Sequence, residues 1–135
     1  MHARIRSTTI AAVLGAVAVL ALAGCGASET DAVRAKVEQF ATAAARHDYT
    51  TICGEVLAPN LLGDISLGGL ACEEALKTGL GGVHGARLVV GNVHVSGDHA
   101  TVLTASQAEG QSPTIATLVL VRTADGWRIS SLGAI

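Results

Sequence analysis

The chain has 135 residues, half of them hydrophobic, with nine Lys or Arg against eleven Asp or Glu and one each of Trp, Tyr and Phe. That length allows one domain. Neither a basic patch nor an aromatic-rich surface is available, which excludes nucleic-acid binding.

The first segment does not read as part of the domain. "MHARIRSTT" is basic through Arg4 and Arg6, and "IAAVLGAVAVLALAG", residues 10–24, carries no charge. A positive start, an apolar middle and small residues at the end make a secretory signal. As a membrane span the apolar stretch falls short of the ~20 residues needed to cross a ~30 Å hydrocarbon core, so cleavage is expected. The stretch closes on "LAGC", Leu22 to Cys25. These four residues resemble the bacterial lipoprotein box, whose pattern is Leu, a small residue, Gly or Ala, then Cys.

That resemblance implies recognition through Leu22, Ala23 and Gly24, cleavage after residue 24, and a diacylglyceryl thioether on Cys25, whose amine is often acylated as well, with palmitate as the expected chain. Residues 25–30 would be a lipidated tether and residues 31–135 the domain. The protein would sit at the outer face of the bacterial cytoplasmic membrane, with the bilayer as its first partner. Two or more acyl chains hold stably where one holds marginally. From Cys25 onward seven cationic residues face eleven acidic ones, a formal charge of −4, and no further apolar span follows.

Lipidation of Cys25 leaves Cys53 and Cys72 as a pair in an oxidising compartment, where a disulfide is the expected state. Such a bridge restricts the unfolded chain by roughly 3 kcal/mol. A redox pair favours Cys-x-x-Cys spacing, and a metal site needs more than two ligands, so the bridge is read as structural.

In "DAVRAKVEQFATAAARHD" the residues Val33, Val37, Phe40, Ala41 and Ala44 recur at helical spacing and form one apolar stripe. Ser28 or Thr30 is the expected cap, with Glu29 and Asp31 favourable at the positive helix end. "YTTICGEVLAPNLLGDI" reads as a shorter helical piece that Pro59 interrupts or ends. "LACEEALKTGL" reads as a third helix, with Leu70, Ala71, Ala75 and Leu76 on one side and Gly79 as its stop. From Gly81 the texture turns to β: "ARLVVGNVHVS", a turn at Gly97 and Asp98, "HATVLTASQAE", the link "GQSP", "TIATLVLVRT", a type I′ signal at Asp125 and Gly126, and "WRISSLGAI". Helices followed by strands give an α+β domain, with N-terminal helices packed on a curved four-stranded antiparallel meander. Its apolar concave side is expected to draw on Val102, Val119, Val121 and Ile129 or their alternates.

The order of elements, with "HDY" at His47 to Tyr49, then Cys53, Cys72 and "DGWRI" at Asp125 to Ile129, resembles the nuclear-transport-factor-two-like superfamily and its cystatin-like cone, as found in small actinobacterial lipoproteins. Enzymes of the ketosteroid-isomerase and polyketide-cyclase types on that fold use an Asp or His base beside an acid or Tyr in an apolar pocket. The matching residue types here are His94, Asp64 and Tyr49, with His99 a weaker candidate. Each has a plainer reading: Tyr49 packs against the sheet, Asp64 caps or solvates a glycine-bearing loop, His94 stands at a rim, and His99 is exposed beyond its turn. His94 shares alternation with Leu88, Val90 and Asn92, which gives it a route into the cone. Of the histidines at 47, 84, 94 and 99, His94 and His99 flank a tight turn and could approach one another, but two imidazoles alone make a weak site, so no metal and no cofactor is expected. The glycines at 79, 81, 82 and 85 lack the strand and Gly-Lys-Ser/Thr of a phosphate loop, and no serine lies in a Gly-x-Ser-x-Gly frame. The expected function is a membrane-anchored, non-catalytic module for a small apolar ligand or an envelope protein. The alternative is a small isomerase or cyclase with a His or Asp base.

Overall fold

The computed structural model describes residues 28–133. The expected signal peptide, the expected lipidation site Cys25 and the residues directly after it lie outside the described residues. Helix α1, Glu29–Ala45, opens on a capping box in which the Ser28 hydroxyl accepts from the Asp31 amide while the Asp31 carboxylate accepts from the Ser28 amide. It therefore starts inside the stretch expected to be tether. Val33 and Val37 are fully buried in the core, and Phe40 and Ala44 are packed against it half-buried.

His47 closes the helix in a left-handed conformation, φ 55°, and Asp48 caps the short helix α2, Tyr49–Thr51. The Thr51 amide and hydroxyl both donate to the Asp48 carboxylate, which holds that carboxyl below its usual range. A π-helical turn, Ile52–Val56, follows directly. Its last carbonyls receive cationic partners: Lys36 Nζ donates to the Glu55 carbonyl at 3.1 Å and Arg128 donates to that of Gly54 at 2.9 Å. Partial burial of the Lys36 ammonium lowers its pKa.

Pro59 begins a helix instead of ending one. It occupies the first turn of α3, Pro59–Leu67, where the missing N–H would have had no intrahelical partner and the fixed φ suits the helix. Asp64 accordingly lies exposed on a helix and not in a loop. Helix α4, Cys72–Leu80, runs through Gly79 and stops at Gly81. Leu70 and Ala71, expected on its packed side, are exposed and precede it. The bridge Cys53–Cys72, with Cα atoms 6.0 Å apart, ties its first residue to the π-helical turn.

The strands β1 (Arg87–Ser96), β2 (His99–Gln107), β3 (Thr114–Thr123) and β4 (Gly126–Ser131) form one antiparallel meander in the order β1-β2-β3-β4. Helices on one face of this sheet make the α+β architecture. The inner face carries Ala100, Val102, Leu118, Leu120, Trp127 and Ile129, all buried. Val119 and Val121, read as candidates for that face, pair with Thr101 and His99 on the outer one. Alternation puts Leu118 and Leu120 inside in their place. Thr104, the one buried polar residue among those described, donates to the Ala116 carbonyl at 3.1 Å.

Two local features depart from simple alternation. Val90 pairs with Thr104 and Val93 with Val102, so Gly91 and Asn92 together face Leu103 alone. This bulge resets the parity of β1. The Arg34 guanidinium fixes it by donating to the carbonyls of Val90 and Gly91, each at 3.1 Å. At the β3–β4 turn the positive φ falls on Gly126, 102°, and not on Ala124 or Asp125. The turn is thus not the expected type I′, which needs positive φ at both central residues; the pattern fits a type I turn followed by a left-handed glycine. After the π-helical turn, Leu57 bridges Ile129 in parallel and the Ala58 amide donates to the Ile129 carbonyl at 2.8 Å, which covers the β4 edge.

Candidate functional site

The C-terminal half of α1, the end of α4 and the lower ends of β1, β2 and β3 enclose a half-open cavity of about 430 Å³. Its apolar floor is Phe40, Ala41, Ala44, Leu80, Val83 and Leu88, and its polar rim is Ser106, Gln107, Gln111, Ser112 and Thr114. The volume lies within the ~300–1,000 Å³ of small-molecule sites, and an apolar floor under a few polar groups is their usual composition. Space exists because α1 places alanines at 41 and 44, one to two turns beyond the large, buried Val33 and Val37. Arg87 is the one ionisable residue among those lining the cavity.

The wall formed by residues 81–86 is pinned by the turn at His47. The His47 Nε2 lies 3.0 Å from the Val83 carbonyl, which only accepts, so Nε2 carries the proton. The ring also stacks on Tyr49, centroids 5.9 Å apart, and meets His84 edge-on at 6.0 Å. On the other side the Glu109 amide donates to the His84 carbonyl at 2.9 Å.

The sequence-derived candidates are scattered. His94 is exposed on the outer sheet face opposite Thr101, because the bulge at Gly91 and Asn92 hands the inner positions to Val93 and Val95. Asp64 is exposed on α3, and His99 is exposed at the start of β2. Tyr49 is half-buried against the core beside His47. None of the four lines the cavity, and His94 and Tyr49 are not brought together. Among the described residues no group of three or more His, Cys, Asp or Glu is placed to hold a metal ion, and no helix is long and apolar enough to cross a membrane.

The opposite end of the domain carries a clamp that sequence inspection missed. Glu29, in the first turn of α1, accepts from Arg122 at 3.0 Å and from the Trp127 indole at 2.7 Å. The guanidinium lies 4.7 Å from the Trp127 ring centroid and 3.4 Å from Asp98. These donors hold the Glu29 carboxyl below its ordinary pKa and raise that of Arg122. The signal available in the sequence was the pair of turns at Asp98 and Asp125, which the meander brings to one end with the N-terminus of α1.

Comparison with solved structures identifies the architecture. A candidate ketosteroid isomerase from Shewanella frigidimarina superimposes with a TM-score of 0.60 at 22% identity, covering 76% of this chain and 94% of that one. The fold is NTF2-like. A candidate dehydratase of the NTF2-like family from Streptomyces avermitilis gives 0.52 at 24% identity, over 75% of this chain and 90% of that one. An NTF2-like protein of unknown function from Shewanella baltica gives 0.56 at 12% identity, over 76% and 89%. No family model matches the sequence, and no curated protein matches it. At these identities the likeness establishes the NTF2-like fold alone.

Proposed function

We propose that this chain is a lipid-anchored extracytoplasmic module, fastened through Cys25 to the outer face of the bacterial cytoplasmic membrane, that binds a small apolar ligand without converting it. The observation that carries the binding reading is the composition of the cavity: an apolar floor, a hydroxyl and amide rim, and Arg87 as its single ionisable lining group. Proton transfer needs a base within hydrogen-bond reach of the substrate, and the cavity lining offers neither a carboxylate nor an imidazole. Arg87 at the rim suits a ligand with an anionic or strongly polar end. The anchor is supported by "LAGC" at Leu22 to Cys25 and by the basic, then apolar, segment before it.

A second reading, a small isomerase or dehydratase, is favoured by the names of two NTF2-like neighbours. One set of measurements separates the two. An anionic naphthalene-sulfonate dye is expected to bind the purified protein with enhanced fluorescence, and Ala41→Phe, which places a ring on the cavity floor, is expected to abolish the signal while Val89→Ala on the outer face leaves it intact. Dye bound equally by Ala41→Phe would refute the site, and catalysed isomerisation of a ketosteroid would replace the binding reading with the enzymatic one.

A further inference from the structure

Resting on the lipid anchor proposed above, we infer that the domain stands on its clamp and holds the cavity at the pole farthest from the bilayer, so that its ligand arrives through the aqueous envelope and is not drawn from membrane lipid. Ser28 stands three residues after Cys25. Ser28 is already fixed by its capping box, and Glu29 is bound to both Arg122 and Trp127. Three residue steps span at most about 11 Å, which keeps the first turn of α1 close to the bilayer surface.

The meander fixes what shares that pole. The β1–β2 turn, whose Asp98 is joined to Glu29 of α1 through Arg122, lies there, and so does the β3–β4 turn with Asp125. The cavity lies at the other end, on Ala44 of α1, Ser106 of β2 and Thr114 of β3. Glu29 to Ala44 is about 22 Å along the helix, and Thr114 to Arg122 is about 27 Å along the strand. The nearest floor residue, Phe40, is itself about 16 Å along the helix from Glu29, so the floor stands off the bilayer surface when the domain stands on its clamp.

Interfacial docking uses aromatic and cationic side chains around an apolar face, yet the single Trp is buried in the core, and the single Tyr and Phe are packed half-buried against it. The exposed apolar residues of the outer sheet face, Val89, Leu103 and Ile115, have no aromatic beside them. At the clamp pole the exposed Glu29, Asp31, Asp98 and Asp125 outnumber Arg122, so close adhesion to anionic headgroups is not favoured there.

The test uses full-chain protein extracted from membranes, checked by intact mass, and placed in nanodiscs containing a lipid with a gadolinium-chelate headgroup. Amide resonances of Asp98 and Asp125 are expected to lose intensity, while those of Gly79, Gln111 and Ser112 keep theirs. A glycine-serine insertion between Ala27 and Ser28 is expected to weaken the loss at Asp98 and Asp125. Loss at Gly79 and Gln111 equal to or greater than that at Asp98 would overturn the orientation while leaving the anchor in place. A mass with no acyl addition on Cys25 would overturn the anchor itself, and the orientation with it.

Discussion

Replacing both Cys53 and Cys72 by serine probes the staple and the cavity together. The 19-residue separation of the two cysteines sets the loop-closure entropy that the bridge removes from the unfolded chain at about 3 kcal/mol. Against a total of ~5–15 kcal/mol for a small domain this is a large fraction, and it corresponds to a melting temperature lower by roughly 12–24 °C. A local effect adds to the global one. Helix α4 buries no residue and has no side-chain cap, so the bridge at its first residue is its firmest attachment. Its last residues, Gly79 and Leu80, form part of the cavity wall. The double variant should therefore bind the naphthalene-sulfonate dye more weakly even at temperatures where it remains folded. Circular-dichroism melts and dye titrations at low temperature check both parts. A melting temperature within about 4 °C of the native value would refute the staple, and a full drop in melting temperature with unchanged dye affinity would refute the coupling between bridge and cavity.

Three further outcomes follow from other parts of the fold. Leu120→Ala, at a fully buried inner position, is expected to cost about 2–5 kcal/mol, whereas Ile115→Ala, 71% exposed on the outer face, is expected to stay within about 0.5 kcal/mol; equal costs in denaturant melts would show the face assignment to be wrong. Because the Glu29 carboxyl is held below its usual 4.5 by Arg122 and Trp127, its contribution is present above the unfolded value and is lost as pH falls through the lower folded value. Fluorescence of the single tryptophan, Trp127, should report a transition below pH 4.5 that Glu29→Gln removes, and an unaltered acid profile in that variant would exclude Glu29 as its source. Gly126→Ala meets no atom within 4 Å but keeps a φ of 102°, so a loss of about 1–2 kcal/mol is expected from backbone strain alone, and a neutral result in a thermal melt would contradict the turn geometry.

The architecture was legible because its signals are local. Valine-rich runs separated by Gly97-Asp98 and Asp125-Gly126 define four strands whose observed limits lie within two residues of the readable ones except at the end of β4, which stops at Ser131, four residues short of the readable segment, and Val33 and Val37 mark the buried face of α1 at helical spacing. Pro59 misled because proline has two opposite helical meanings: it breaks an interior and starts a first turn. Only the extended Leu57 and Ala58 before it, laid along Ile129, decide between them.

The candidate site was less legible, and His94 shows why. Strict alternation from Leu88 through Val90 sends position 94 inward, but one extra residue at Gly91 and Asn92 hands the inner face to Val93 and Val95. A glycine inside a valine run is the written trace of such a bulge, yet what makes it hold is Arg34, 57 residues away from Gly91 in the chain. The cavity likewise has no motif. It arises where Ala41 and Ala44 fail to fill the space that Leu80, Val83 and Leu88 enclose from three other segments. Periodicity records that those alanines face inward, but only the packed chain shows that little else fills the space they leave. An absence of volume is a property of several segments at once, so a search for reactive residue types passes over it and selects His94 and Asp64, side chains that solvent already satisfies.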